Sequence, residues 1–168
     1  ARRVLIHGRG ELIVTRPKVE LGCVDLDVHV FGGGHVGNAL AEIAIKLNFQ
    51  IAVIDDRQEI LDGFGRQVST ILTDADYNKD FPSLDNNSYV VIVTRGHKSD
   101  LPVLEKALQH DCAYIGMIGS KSKVAKIFSQ LRDNGVEQAK LDKVHSPIGI
   151  DIGAEGPNEI AIAIAAEL

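Results

Sequence analysis

Gly32, Gly34 and Gly37 stand in G-x-G-x-x-G spacing, and Asp55 follows eighteen positions after the last of them. This combination suits a ligand that carries phosphate and ribose. Gly32 permits a tight turn, Gly34 lets backbone approach a pyrophosphate, and Gly37 lets a helix pack close to the strand before it. With Gly33, His35 and Val36 they form a loop that opens a helix, whose unpaired N–H groups and positive dipole end favour an anion. Asp55, with Asp56 and Arg57 beside it, is expected to accept hydrogen bonds from both ribose hydroxyls. A 2′-phosphate would be repelled there, so this carboxylate favours NAD-type over NADP-type ligands.

Three more polar clusters extend the candidate site: Thr94-Arg95-Gly96-His97, Gly119-Ser120-Lys121, and Asp151 within the segment HSPIGIDIG. His35 and His97 are the candidate catalytic groups. They could serve as general acid or base, as pH-dependent partners of an anion, or as ligands to a metal carried by the bound molecule. A metal held by the protein itself is not expected, because the six histidines and two cysteines show no ligand spacing. Lys121 reads either as a second anion contact or as a solvated lysine in a run with Lys123 and Lys126. Ser99 and Asp100 read as helix caps. His29 and His110 read as structural, and spacing leaves His145 unassigned.

These groups require elements that bring them to one edge. An apolar strand from Val28 leads into the glycine turn; Val36, Leu40, Ile43, Ala44 and Leu47 then recur at helical spacing up to Asn48. Further strands are expected at 51–54, 69–72, 89–94 and 113–118. Helices are expected at 100–110, with Pro102 in the first turn, at 121–134 and at 157–168. The alternation predicts an α/β fold: a Rossmann-like, doubly wound, mostly parallel sheet with helices on both faces and strand order 3-2-1-4-5. In such sheets ligands bind outside the carboxyl ends of the strands. Residues 23–168 form this cofactor-binding domain. Residues 1–22 read as an appendage or the remnant of a preceding domain, with a hairpin of 4–6 against 12–14.

Composition narrows the function classes. The chain has 168 residues, 45% of them hydrophobic, and a formal charge of −5, so no basic stripe offers itself to nucleic acid or an acidic membrane. No apolar run reaches the roughly 18 residues of a membrane span. No signal peptide is visible, and Cys23 and Cys112 read as reduced thiols, so a cytoplasmic protein is expected.

The segments GGGHVGNALAEIAIKLNF, VIDDR, VVIVTRGHKSDLPVLEKAL, YIGMIGSKSK and HSPIGIDIGAEGPNEIAIAIAAEL, in this order, resemble the C-terminal Rossmann domain of the XdhC/CoxI family, the xanthine dehydrogenase accessory factors. The likeness covers Val28 to Leu168. It implies a maturation factor that binds molybdenum cofactor, as molybdopterin or its dinucleotide form, and delivers it to a molybdenum hydroxylase apoenzyme. A cofactor sulfurase is the implied second partner, and a homodimer is a further expectation. The role implied is cofactor handling rather than turnover. The residues alone leave NAD open as ligand, in an NAD-dependent oxidoreductase or an NAD-sensing regulatory domain. Against the oxidoreductase, Tyr77, Tyr89 and Tyr114 each lack a lysine four positions on.

Overall fold

The computed structural model describes residues 26–168 together with 5–7 and 11–13. Strands β1 (Leu5–His7) and β2 (Glu11–Ile13) pair antiparallel, one residue displaced inward from the hairpin expected at 4–6 and 12–14. The remaining strands form one parallel sheet: β3 (Asp27–Phe31), β4 (Gln50–Asp55), β5 (Ser69–Leu72), β6 (Ser88–Ile92) and β7 (Tyr114–Met117). Their spatial order is β5-β4-β3-β6-β7. The chain winds outward from β3 in both directions, as the sequence predicts. A parallel bridge from Gly116 to His145 adds one more rung outside β7.

Strands buried on both faces alternate their side chains between two cores. Val28 and Val30 of β3, Ile51 and Val53 of β4, and Val91 of β6 face one side with Leu40 and Ala44 of α1 (His35–Lys46) and Ile164 of α6 (Pro157–Glu167). Phe31, Ile54 and Ile92 face the other, against Leu104 of α3 (His97–Ala107) and Ile127 and Leu131 of α4 (Lys121–Asp133). Short helices α2 (Gln58–Leu61) and α5 (Gln138–Leu141) complete the layers. Neither shows in the sequence, because one turn carries no 3.6-residue period. α1 ends at Leu47, with Asn48 at a φ of 58° and its N–H on the Ile45 carbonyl.

Helix α3 departs from expectation. It begins at His97, three residues early, because the Gly96 carbonyl accepts the N–H groups of both Ser99 and Asp100 at 3.1 Å. Pro102 therefore sits inside the helix, in its second turn, where it forgoes one intrahelical bond. Asp100 is not a cap; it is fully buried and pairs with Lys123 of α4. The Thr94 hydroxyl donates to the same carboxylate. The end of β6, α3 and α4 are thus tied together at one point beneath the strand ends.

His145 also finds its place. Its backbone bonds to Ile115 and Met117, and its Nδ1 lies 3.0 Å from Glu167 near the end of α6. Tyr114 donates its hydroxyl to the same Glu167 carboxylate. The histidine anchors α6 to the sheet edge.

Candidate functional site

Where β3 ends, the chain must turn sharply to start α1. Gly32 adopts a φ of 109°, and a Cβ on it would meet the Val93 carbonyl oxygen at 2.5 Å. Gly37 comes so near this turn that a Cβ would lie 2.0 Å from the Gly32 oxygen. The helix packs that closely on its own entry strand. Gly34 differs: a Cβ there would meet nothing within 4 Å. It is the N-cap of α1, no side chain caps the helix, and the first turn holds no acidic residue. The N–H groups that open α1 therefore face open space with the positive dipole end behind them.

That space is a cleft of about 990 Å³ over the carboxyl ends of the central strands. Gly32 to Val36 line it from the turn, Arg57 comes from the β4 side, and Thr94 and Arg95 come from the β6 side. His35 is exposed on its wall as the first residue of α1. The cleft sits at the switch point of the sheet, walled by α1, α2 and the start of α6.

Asp55 has a different task from the one its position suggests. Its carboxylate is buried, and both oxygens are taken within the chain: Oδ2 accepts the Gly33 N–H at 2.8 Å and Arg57 Nη2 at 2.9 Å. Oδ1 accepts the Arg57 N–H at 3.0 Å and Arg57 Nε at 2.8 Å. Burial by itself raises the Asp55 pKa, but the bonds from Arg57 and Gly33 outweigh it and hold the carboxyl below its ordinary range. Asp55 fixes the glycine turn to β4 and is not presented to a ribose. The argument for NAD over NADP that rested on it loses its footing.

Asp56, next along, is partly accessible and holds Arg95 across the cleft end, with Nη2 2.7 and 2.6 Å from its two oxygens. His97 starts α3, but its side chain lies outside the described residues. Gly96 precedes it as the N-cap of α3 without lining the cleft.

The third and fourth clusters do not reach the cleft. Ser120 caps α4, accepting the Lys123 N–H at 3.3 Å, while Gly119 packs on the Lys123 stem. Lys121 is exposed at the start of α4 and does not line the cleft. Asp151 is exposed and turns back on the Gly153 N–H at 3.2 Å. The local bonds of each loop hold its polar group aside: Ser120 turns to cap α4, and Asp151 turns to the Gly153 N–H. Ile118 and, from the start of α6, Pro157 and Asn158 reach the cleft instead.

Sequence reasoning also missed Asn38 and Glu42 of α1 and Glu59, Ile60 and Gly63 around α2. Asn38 and Glu42 follow His35 by three and seven positions, so helical spacing from the turn could have found them. Nothing comparable marks the residues around α2. Among the described residues no group of three His, Cys, Asp or Glu is placed to hold a metal ion, and no helix is long and apolar enough to cross a membrane.

The fold and cleft define a Rossmann-type α/β domain with a glycine-walled opening at its switch point. Residues 28–168 match the family model described as the XdhC Rossmann domain. The chain belongs to that family. It is 36% identical over 142 residues to the uncharacterized protein YqeB of Escherichia coli, covering 83% of this chain and 26% of that protein. It is 25% identical over 151 residues to a probable xanthine dehydrogenase subunit of Bacillus subtilis, covering 83% of this chain and 41% of that one. A crystal structure of a xanthine dehydrogenase from Bacillus halodurans superposes with a TM-score of 0.71 at 29% identity, over 85% of this chain and 41% of that one. The chain thus spans between a quarter and about two fifths of these relatives.

Proposed function

We propose that this domain serves the maturation of a xanthine dehydrogenase-type molybdenum hydroxylase. It holds molybdenum cofactor, as molybdopterin or its dinucleotide form, in the cleft and passes it to the apoenzyme, with a cofactor sulfurase as the other partner. The observation that carries this reading is the uncapped N-terminus of α1 opening on a cleft of about 990 Å³ at Gly34. Such a volume lies at the upper end of small-molecule sites and suits a pterin with a phosphate or dinucleotide extension. The family relationship to proteins named for xanthine dehydrogenase supports the partner class.

The residues present fit a phosphate-bearing group. The N–H groups at the start of α1 would hold its phosphate, and Arg95 and His35 stand on the same walls. When bound, molybdenum cofactor supplies the redox-active metal centre of the hydroxylase that receives it. The domain's own part is to bind, orient and shield. A place in the cytoplasm suits a protein that hands a cofactor to an apoenzyme.

The test is mass spectrometry of small molecules released from protein purified anaerobically with molybdate supplied. A pterin is expected. A nicotinamide dinucleotide in its place would replace this reading with the NAD-dependent one.

A further inference from the structure

The two arginines of the cleft are engaged differently. Arg57 lays Nε and Nη2 side by side on the buried Asp55, the fork arrangement that commits a guanidinium to one carboxylate. It is spent on the fold. Arg95 meets Asp56 end-on, through Nη2 alone, and its side chain is 58% exposed. Among the described residues its Nε and Nη1 make no hydrogen bond, so three donors of the fork stay open.

The Arg95–Asp56 pair also has a telling position. Asp56 follows β4, Arg95 lies just past β6, and β3 with its glycine turn runs between them in the sheet. The pair therefore bridges the strand ends on either side of the α1 N-terminus. Exposed ion pairs contribute little to stability, so a stronger anion can part this one at small cost. Glu42 and Glu59 line the same cleft, and Asp55 and Asp56 cancel both arginines. Both guanidiniums of the cleft are thus matched by a carboxylate, so a phosphate drawn to the open donors of Arg95 competes with Asp56 for its charge.

We propose that Arg95 is the residue that reads the ligand's phosphate in this cleft, and that Asp56 is its internal competitor, released when a diphosphate or a phosphate monoester takes the guanidinium. This rests on the cleft being the ligand site. Asp56 sets a threshold: weak anions leave the pair closed, and a multiply charged phosphate opens it. The pyrophosphate of a dinucleotide and the terminal phosphate of a pterin would satisfy the same chemistry.

The experiment titrates the full chain with ADP, AMP and inorganic pyrophosphate by calorimetry, comparing the parent with Asp56→Asn, Arg95→Gln, the double variant and Gly34→Val. Asp56→Asn removes the competitor and should tighten ADP and pyrophosphate about 3- to 10-fold, in line with one charge-assisted bond. Arg95→Gln should weaken them by a similar factor, and the double variant should behave like Arg95→Gln. Preference for ADP and pyrophosphate over AMP assigns the diphosphate source; equal gains with AMP assign the monoester. Equal weakening by both single variants, with melting temperatures unchanged, would make the pair a structural bridge and overturn the proposal. Loss of binding in Gly34→Val with no effect of either charge variant would overturn it while leaving the cleft as the site. No binding of any probe by parent or Asp56→Asn would overturn it outright.

Discussion

Gly34 and Gly37 are three residues apart in one motif, yet replacing them should do opposite things. A Val at Gly34 projects into open space and keeps an extended backbone any residue can adopt. Gly34→Val should melt within a few degrees of the parent and lose most affinity for phosphate-bearing ligands; unchanged affinity would remove the turn from the site. Gly37→Ala drives a Cβ into the Gly32 carbonyl, which cannot swing away. Overpacking against backbone costs about 3 kcal/mol or more, which lowers Tm by roughly 6 to 12 °C in a domain of this size. Asp55→Ala belongs with Gly37: it strips the Gly33 N–H and Arg57 of their partner and should cost about 2 to 3 kcal/mol of stability. A variant that melts like the parent but fails only with ribose-bearing ligands would restore the ribose role. The sequence tells that an acid ends this strand. It does not tell that Arg57, two residues on, consumes it, because that depends on a side-chain rotamer and not on spacing.

Between elements, legibility follows the length of the pattern. Strands β3, β4, β6 and β7 and helices α1, α4 and α6 are readable because apolar residues recur along them on buried faces, whereas β5, with no buried residue, follows only from the alternation. The start of α3 is not, since Thr94-Arg95-Gly96-His97 is polar and its helical bonds come from the Gly96 carbonyl. The same gap hides Asp100, which looks like a cap and is in fact the buried half of the α3–α4 junction. Lys123→Met should therefore leave a carboxylate without its counter-ion and cost about 3 kcal/mol, as broken buried pairs do. Adding Asp100→Asn removes the stranded charge, so the double variant should be more stable than Lys123→Met alone. A coupling energy near zero from denaturant melts of all four proteins would show that the pair does not join the helices.

For the whole molecule, one contribution to the response to acid is expected from a residue the candidate site does not use. His29 lies in the central strand β3, half-buried, and its Nδ1 is buried without a hydrogen-bond partner among the described residues. Burial lowers its pKa from the ordinary 6.5, against the opposing pull of Asp27 and Asp85. In the window just below 6.5 the unfolded chain therefore takes up a proton that the folded chain refuses. Stability is fully present above that pH and is lost as pH falls through the folded pKa. The buried Asp55 carboxyl adds acid sensitivity only lower, below the ordinary 3.8. His29→Gln keeps a polar side chain of similar size and abolishes the titration. Parent and variant should thus differ little in Tm at pH 7.5, while between pH 6.5 and 5 the parent should fall more steeply. Calorimetric melts in one buffer series at constant ionic strength measure the difference, in which the other histidines cancel. Parallel curves for the two proteins would mean that His29 carries none of the acid response, and that its buried nitrogen is matched by water instead.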